Sequence, residues 1–345
     1  MDLVRYSIQK LIAASVDSES LFSTGIYDID YSIMTIGGFP RGRVVEIFGP
    51  ESGGKTLLAL KLVANAQSRG IKCAWFDAEQ TMFDPYGMSW AQQQGVKFED
   101  ELLLGDDSIV AETVLGGVRD LSSSGEVGIV VVDSIPALIP EATIKTSKDF
   151  GHEDRRGLRA ALLSVSLPQI VSGCGVRQGN CLVVLINQVR DTMELYGESE
   201  DSPGGWALRH HCSVRLRVEK KKDISDDGKV VGNYSRVKLV KSKVSPRGKV
   251  TGVDTLGDVM IYYDGREVDQ LDSLIGVGLS SGLITKEKNT YTYKNVSGTI
   301  TPFKERLHEL GLVDEICELV KGLSSVTTVM DGLEVEDALE SMSGV

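Results

Sequence analysis

The chain has 345 residues, 37 Lys/Arg against 49 Asp/Glu, and a formal net charge of −12. This length accommodates one large domain and a smaller one, because single cores tend to split beyond about 250–300 residues. Apolar runs such as "GIVVVDSIPALIP" are interrupted well short of a membrane span, and the first twenty residues carry polar side chains throughout, which excludes a membrane helix and a signal peptide.

Five scattered cysteines (73, 174, 181, 212, 317) lack metal-ligand spacing, and the four histidines do not build a zinc site; reduced thiols in a cytoplasmic compartment are expected. At face value the net charge argues against an anionic partner, but the charge is unevenly spread. Residues 215–249 hold twelve Lys/Arg against four Asp/Glu, whereas Asp331, Glu334, Glu336, Asp337 and Glu340 follow Met330 with no basic residue. Local patches of this kind matter more than the total.

In chain order, Val4, Ile8, Leu11 and Ile12 form one helical stripe over 3–13, a short amphipathic helix that packs on its own core or docks on a neighbouring subunit. "GGFPRGR" then marks a turn. Apolar runs follow at 43–48 ("RVVEIF"), 72–77 ("KCAWFD"), 128–133 ("GIVVVD") and 181–188 ("CLVVLINQ"), separated by helical patterns over 57–69, 109–123 and 157–172. Near-continuous apolar strands alternating with helices predict an α/β fold with a mostly parallel central sheet covered on both faces. Beyond Cys212, "CSVRLRVEKK", "NYSRVKLVKSK" and "DVMIYYDG" read as an antiparallel extension of that sheet. From about 265 a small α+β C-terminal unit is expected. The predicted partition is 1–22 for the N-terminal helix and linker, 23–255 for the α/β core, 256–322 for the C-terminal domain and 323–345 for a flexible acidic tail.

Ligands of such sheets sit at the carboxyl ends of the strands, and the candidate site residues fall there. Gly49, Pro50, Glu51, Ser52, Gly53, Gly54, Lys55 and Thr56, followed by Leu57, form a Walker A pattern between strand and helix. Its glycines let backbone N–H groups surround phosphates, Lys55 would bridge the β- and γ-phosphates of ATP, and Thr56 would hold Mg²⁺. Asp133 ends "GIVVVD" either as the second metal residue or as a helix cap. Glu79, closing "FDAE", is either a carboxylate that orients or deprotonates attacking water or a surface acid. Gln188 is placed to sense the γ-phosphate. Tyr86 offers an aromatic face for adenine or for packing. Together these residues describe an ATPase.

Several of these segments, in order and spacing, resemble the bacterial RecA recombinase family: "STGIYDID…GGFPRGRVVEIFGPESGGKT", "FDAE", "VVVDSIPALIP", "INQVR", "GGWALRHHCSVRLR" and "RVKLVKSK". The resemblance covers about 23–250 and continues more faintly beyond. It implies a DNA-dependent ATPase that forms helical filaments of itself on single-stranded DNA and exchanges strands with homologous duplex DNA, with single-strand-binding and mediator proteins as further partners. It assigns Glu79 as the catalytic glutamate, Gln188 as the coupling glutamine and Tyr86 as the adenine-stacking tyrosine. It also assigns Lys241 and Lys243 as the pair that reaches a neighbour's γ-phosphate; from the residues alone that pair reads as a solvated strand face.

The resemblance further places two DNA-binding loops, at 143–157 and 190–206. Arg155, Arg156, Arg159, Arg190 and Arg209 are the candidate phosphate contacts, with backbone N–H groups near Gly204 and Gly205. Met193 and Trp206 would wedge or stack against bases, although a packing role for Trp206 stands equally open. The chain also departs from the family pattern. Its N-terminal segment is short, Glu194, Glu198, Glu200 and Asp201 make the second loop acidic, the spacing to Asp84 differs by one, and His210 stands where an aromatic residue relays between nucleotide and DNA. These departures mark a divergent member, such as a virus-encoded one. The acidic second loop also motivates a reading as an ATP-binding recombination mediator, and the shared core with its four site roles leaves open a ring-forming helicase motor.

Overall fold

The structure, a computed structural model, describes residues 20–34, 36–146, 155–191, 200–201, 205–244, 256–265 and 270–327. Strand β1 (Leu21–Phe22) pairs with β2 (Phe39–Pro40), and a π-helical turn, Asp28–Ile33, fills the space between them. The core then alternates strand and helix as expected: β3 (Val44–Gly49), α1 (Lys55–Ser68), β4 (Cys73–Asp77), α2 (Pro85–Gln93), β5 (Leu103–Asp106), α3 (Ala111–Ser124) and β6 (Ile129–Asp133). A short α4 (Glu141–Thr146), α5 (Arg155–Gly173) and β7 (Leu182–Gln188) complete the alternation. The two-residue strands β8 (Arg190–Asp191) and β9 (Glu200–Asp201) pair antiparallel at the base of the second candidate loop. After them come α6 (Gly205–His211), β10 (Val214–Asp226), β11 (Lys229–Ser242) and β12 (Leu256–Tyr262).

The central sheet has eight strands in the order β12-β11-β10-β3-β7-β6-β4-β5. It is parallel from β10 to β5 and antiparallel at β10–β11 and β11–β12. Successive strand side chains alternate between faces, so one apolar strand feeds two cores. Val45, Ile47, Trp75, Val131 and Val184 pack on one side with Leu58 and Leu62 of α1. Val44, Phe76, Val130, Val132 and Val183 pack on the other with Val114 and Val118 of α3 and Leu163 and Leu167 of α5. Burial on both faces is what the unbroken apolar runs encode.

Beyond the sheet, α7 (Gln270–Ser280), the small sheet β13 (Thr285–Glu287), β14 (Thr290–Tyr293) and β15 (Val296–Gly298), α8 (Ile300–Glu309) and α9 (Leu312–Thr327) enclose a separate cluster around Leu274, Phe303, Leu307 and Ile316. This unit meets the core at the π-helical turn. The Asp28 amide donates to Ser273 Oγ at 2.9 Å, and that hydroxyl donates back to Asp28 Oδ2 at 2.7 Å.

Two boundaries differ from expectation. Because β12 pairs with β11, the central sheet continues past residue 255 to Tyr262. Helix α9 continues through Thr327, so the first five residues of the expected tail are helical. The 3–13 helix and residues 328–345 lie outside the described residues. Among the described residues, no helix is long and apolar enough to cross a membrane.

Candidate nucleotide site

The turn from β3 into α1 is shaped by a close approach of β10. A Cβ on Gly49 (φ 153°) would lie 1.9 Å from the Val218 carbonyl oxygen, so only glycine fits there. Gly54 (φ 95°) occupies the left-handed region as the residue capping α1. Strand β11 braces the loop from outside: Ser235 Oγ donates to the Gly53 carbonyl at 2.7 Å, and Asn233 Nδ2 donates to Ser235 Oγ at 2.8 Å. Lys55 Nζ donates to the Pro50 carbonyl at 2.6 Å, which folds its ammonium back over the loop. Burial holds that ammonium below the usual lysine range, against the pull of Asp133, Glu79 and Glu51.

Three carboxylates collect at neighbouring strand ends. Thr56 Oγ1 donates to Asp133 Oδ2 at 2.8 Å. Asp133 is buried, and burial followed by repulsion from Glu79 pushes its carboxyl up to about 7, with the Thr56 hydrogen bond opposing the shift. The Glu79 amide donates to the Asp133 carbonyl at 3.1 Å, while Glu79 Oε1 accepts from both Ser134 Oγ and Gln188 Nε2, the latter at 3.2 Å. Asp77, opposite Asp133 in the β4–β6 register, is the third. Lys55 feels Asp133, Glu79 and Glu51, so the acids around it outnumber the one ammonium. Thr56 and Asp133 supply the hard oxygen ligands suited to Mg²⁺.

Gln188 is positioned from beneath. Its amide donates to Asn187 Oδ1 at 3.0 Å, and Asn187 Nδ2 donates to Glu46 Oε1 at 2.8 Å. Arg215 Nε donates to Glu46 Oε2 at 2.5 Å, with the guanidinium 4.5 Å above the Phe48 ring. Glu46 is fully buried. The charge inside the otherwise apolar "VVEIF" was its sequence signal, but its partners, on β7 and β10, are distant in sequence. Ser134, which shares Glu79, gave no signal of its own.

The remaining predicted residues divide. Tyr86 is 87% exposed, whereas Trp90, one turn further along α2, and Tyr263 line a cleft of about 310 Å³ with Ser52, Gly54 and Thr56. Trp90 and Tyr263 thus put an aromatic surface beside the phosphate loop, and the Tyr86 ring stands exposed at the start of the same helix as Trp90. Lys241 Nζ donates to the carbonyls of Arg209 (2.5 Å) and His210 (3.1 Å), and Lys243 Nζ to that of His210 (3.1 Å). In the single chain both lysines thus bind the last carbonyls of α6, where a cation complements the helix dipole.

Arg159 is not free for phosphate as expected: it donates to the carbonyls of Pro136 (2.7 Å) and Leu138 (3.5 Å), tying α5 to the segment after β6. Trp206 is 82% exposed, with the Arg209 guanidinium 5.8 Å from its ring centroid. Arg155 and Arg156 open α5, Arg190 lies in β8 and Gly205 opens α6. Met193 and Gly204 lie outside the described residues.

A parallel α/β sheet that gathers a glycine-rich phosphate loop, a Thr–Asp pair and a glutamate at adjoining strand ends defines the P-loop NTPase class. Comparison with known proteins is more specific. A family model for the RecA N-terminal domain matches residues 2–262. Similar curated proteins include "Protein RecA" of Ehrlichia chaffeensis, 37% identical over 85% of this chain and 77% of that protein, and "Protein RecA" of Anaplasma marginale (strain Florida), 38% identical over 84% and 76%. The chain belongs to the RecA family. A solved structure titled "Crystal structure of the RadB recombinase" aligns with a TM-score of 0.49 at 23% identity, over 71% of this chain and 98% of that one.

Proposed function

We propose that the protein is a DNA-dependent ATPase and recombinase that assembles on single-stranded DNA and pairs it with a homologous duplex. The observation that carries this reading is the Glu79 carboxylate, which takes hydrogen bonds from Ser134 and Gln188 together. Gln188 is the last residue of β7, immediately before the second candidate DNA loop, so a change in that loop reaches the carboxylate through one side chain.

In this reading the backbone from Gly49 to Leu57 surrounds the phosphates of ATP, and Lys55 leaves the Pro50 carbonyl to meet them. Thr56 and Asp133 hold Mg²⁺, which when bound neutralises the phosphate oxygens. Trp90 and Tyr263 flank the base. Glu79 accepts a proton from, or orients, the attacking water, and Ser134 and Gln188 fix which way its carboxylate faces. In an assembly, Lys241 and Lys243 of a neighbouring copy exchange the α6 carbonyls for the γ-phosphate. Trp206 and Arg209, on α6 where the second loop ends, supply an aromatic face and a cation for the strand.

The test is steady-state ATP hydrolysis with and without single-stranded DNA at two salt concentrations. Stimulation by DNA that fades with salt is expected, because phosphate contacts release counterions. Replacing Glu79 by Gln should lower the stimulated rate by about 10²-fold or more while ATP still binds. Nucleotide binding with hydrolysis indifferent to DNA would overturn the coupling and favour the mediator reading.

A further inference from the structure

The "FDAE" segment contributes a second acid that the scheme above leaves unused. Asp77 closes β4 and is 1% exposed. Its Oδ2 accepts from the amides of Met82 (2.7 Å) and Phe83 (3.3 Å), which fixes the carboxylate and shapes the turn between β4 and α2. Its Oδ1 is buried and has no hydrogen-bond partner among the described residues.

A buried carboxylate oxygen without a donor is costly. The donors of the neighbouring strand ends are engaged elsewhere. Asp133 Oδ2 already accepts from Thr56, and Glu79 Oε1 accepts from Ser134 and Gln188. Asp77 is paired in register with Asp133 at the ends of the adjacent strands β4 and β6. The shaping of the turn does not account for a carboxyl group at this position, since an amide oxygen would serve Met82 and Phe83 equally well. Water bound to a cation differs from free water: its lone pair is committed to the metal and both hydrogens are donors. A site walled by acceptors suits such a molecule.

Resting on the nucleotide reading above, we infer that Asp77 is a positioning residue for the metal. Its Oδ1 accepts from a water of hydration of the divalent cation held by Thr56 and Asp133, making Asp77 an outer ligand that sets how tightly the cation is retained beside the phosphates.

The experiment titrates Mg²⁺ against binding of a fluorescent ATP analogue to full-length protein, wild type and Asp77→Asn. The amide keeps an oxygen for Met82 and Phe83 and presents an N–H where the unpartnered oxygen was. The Mg²⁺ concentration for half-maximal binding should rise by about tenfold or more in D77N, the usual scale for an outer-sphere ligand. Analogue binding without metal should not fall, and neither should the melting temperature of the nucleotide-free protein. An unchanged Mg²⁺ midpoint would overturn the proposal. Should D77N not fold, Asp77→Ser removes the same acceptor charge and is expected to shift the midpoint in the same direction. Wild-type protein that binds no analogue at any Mg²⁺ concentration would instead sink the nucleotide reading itself, so the two failures are separable.

Discussion

Gln188 Nε2 donates to Glu79 Oε1 at 3.2 Å, so the end of β7 and the loop after β4 share one carboxylate. Ser134 is a second donor on the same oxygen. Shortening the side chain in Gln188→Asn withdraws the amide while leaving Ser134 in place. ATP binding should stay near wild type and the basal rate should persist, but the stimulation by single-stranded DNA should disappear. Hydrolysis rates with and without an oligonucleotide check this, and stimulation at the wild-type level would show that the loop signals by another route.

The cleft beside the phosphate loop contains one of the chain's three tryptophans, Trp90. If it flanks the base, its emission should change when an adenine nucleotide binds, and Trp90→Ala should weaken binding by about 1 kcal/mol, the scale of a stacked aromatic contact. Tyr86→Ala, at a position 87% exposed, should leave affinity unchanged. Equilibrium titrations of the two variants decide between the positions. Equal losses would mean that α2 moves when the site fills.

Much of this site was legible because parallel strands deliver their functional residues at their ends. Gly49, Glu79, Asp133 and Gln188 each follow an apolar run, and the ladder pairing brings the four ends to one edge. What could not be read was lateral contact. Nothing in the sequence says that Ser134 reaches Glu79, or that Lys241 and Lys243 meet the carbonyls ending α6. Tyr86 was the expected aromatic by its distance from Glu79. However, α2 begins only at Pro85, with Asp84 as its cap, so Tyr86 falls in the first turn and Trp90 reaches the cleft one turn later. The segment "DVMIYYDG" reads as part of the sheet, yet the expected boundary at 255 falls before it; the pairing of β12 with β11 carries the sheet on to Tyr262.

Beneath Gln188, the Glu46–Arg215 pair is fully enclosed and bonded further to Asn187. Removing one member of a buried pair leaves the other unpaired in a low-dielectric interior, a loss of about 3–5 kcal/mol. Arg215→Ala should therefore lower unfolding stability on that scale and free Asn187 to shift under Gln188. Glu46→Gln should be milder, since its one amide oxygen still accepts from one of the two donors, Asn187 or Arg215. Denaturant unfolding of both variants measures the difference, and equal losses would indicate that charge, rather than hydrogen-bond geometry, dominates the network.

Asp30 provides a pH dependence away from the nucleotide site. It lies in the π-helical turn, 1% exposed, and accepts from Ser23 Oγ at 2.6 Å and Thr24 Oγ1 at 2.9 Å. Burial nonetheless outweighs these bonds and pushes its carboxyl from 3.8 up to about 7. Between those values the folded protein holds a proton that the unfolded chain has released, so this group's contribution to stability falls with rising pH. That contribution is fully present below about pH 4 and is lost as the pH climbs through about 7. Asp28, raised to about 6, adds to the same trend from the contact with Ser273. Replacing Asp30 by Asn removes the larger ionisation. The difference in unfolding free energy between variant and wild type should therefore move in the variant's favour by on the order of a few kcal/mol from pH 5 to pH 8. A difference independent of pH would mean that Asp30 stays ionised in the folded protein and that its hydrogen bonds, not its burial, decide its charge.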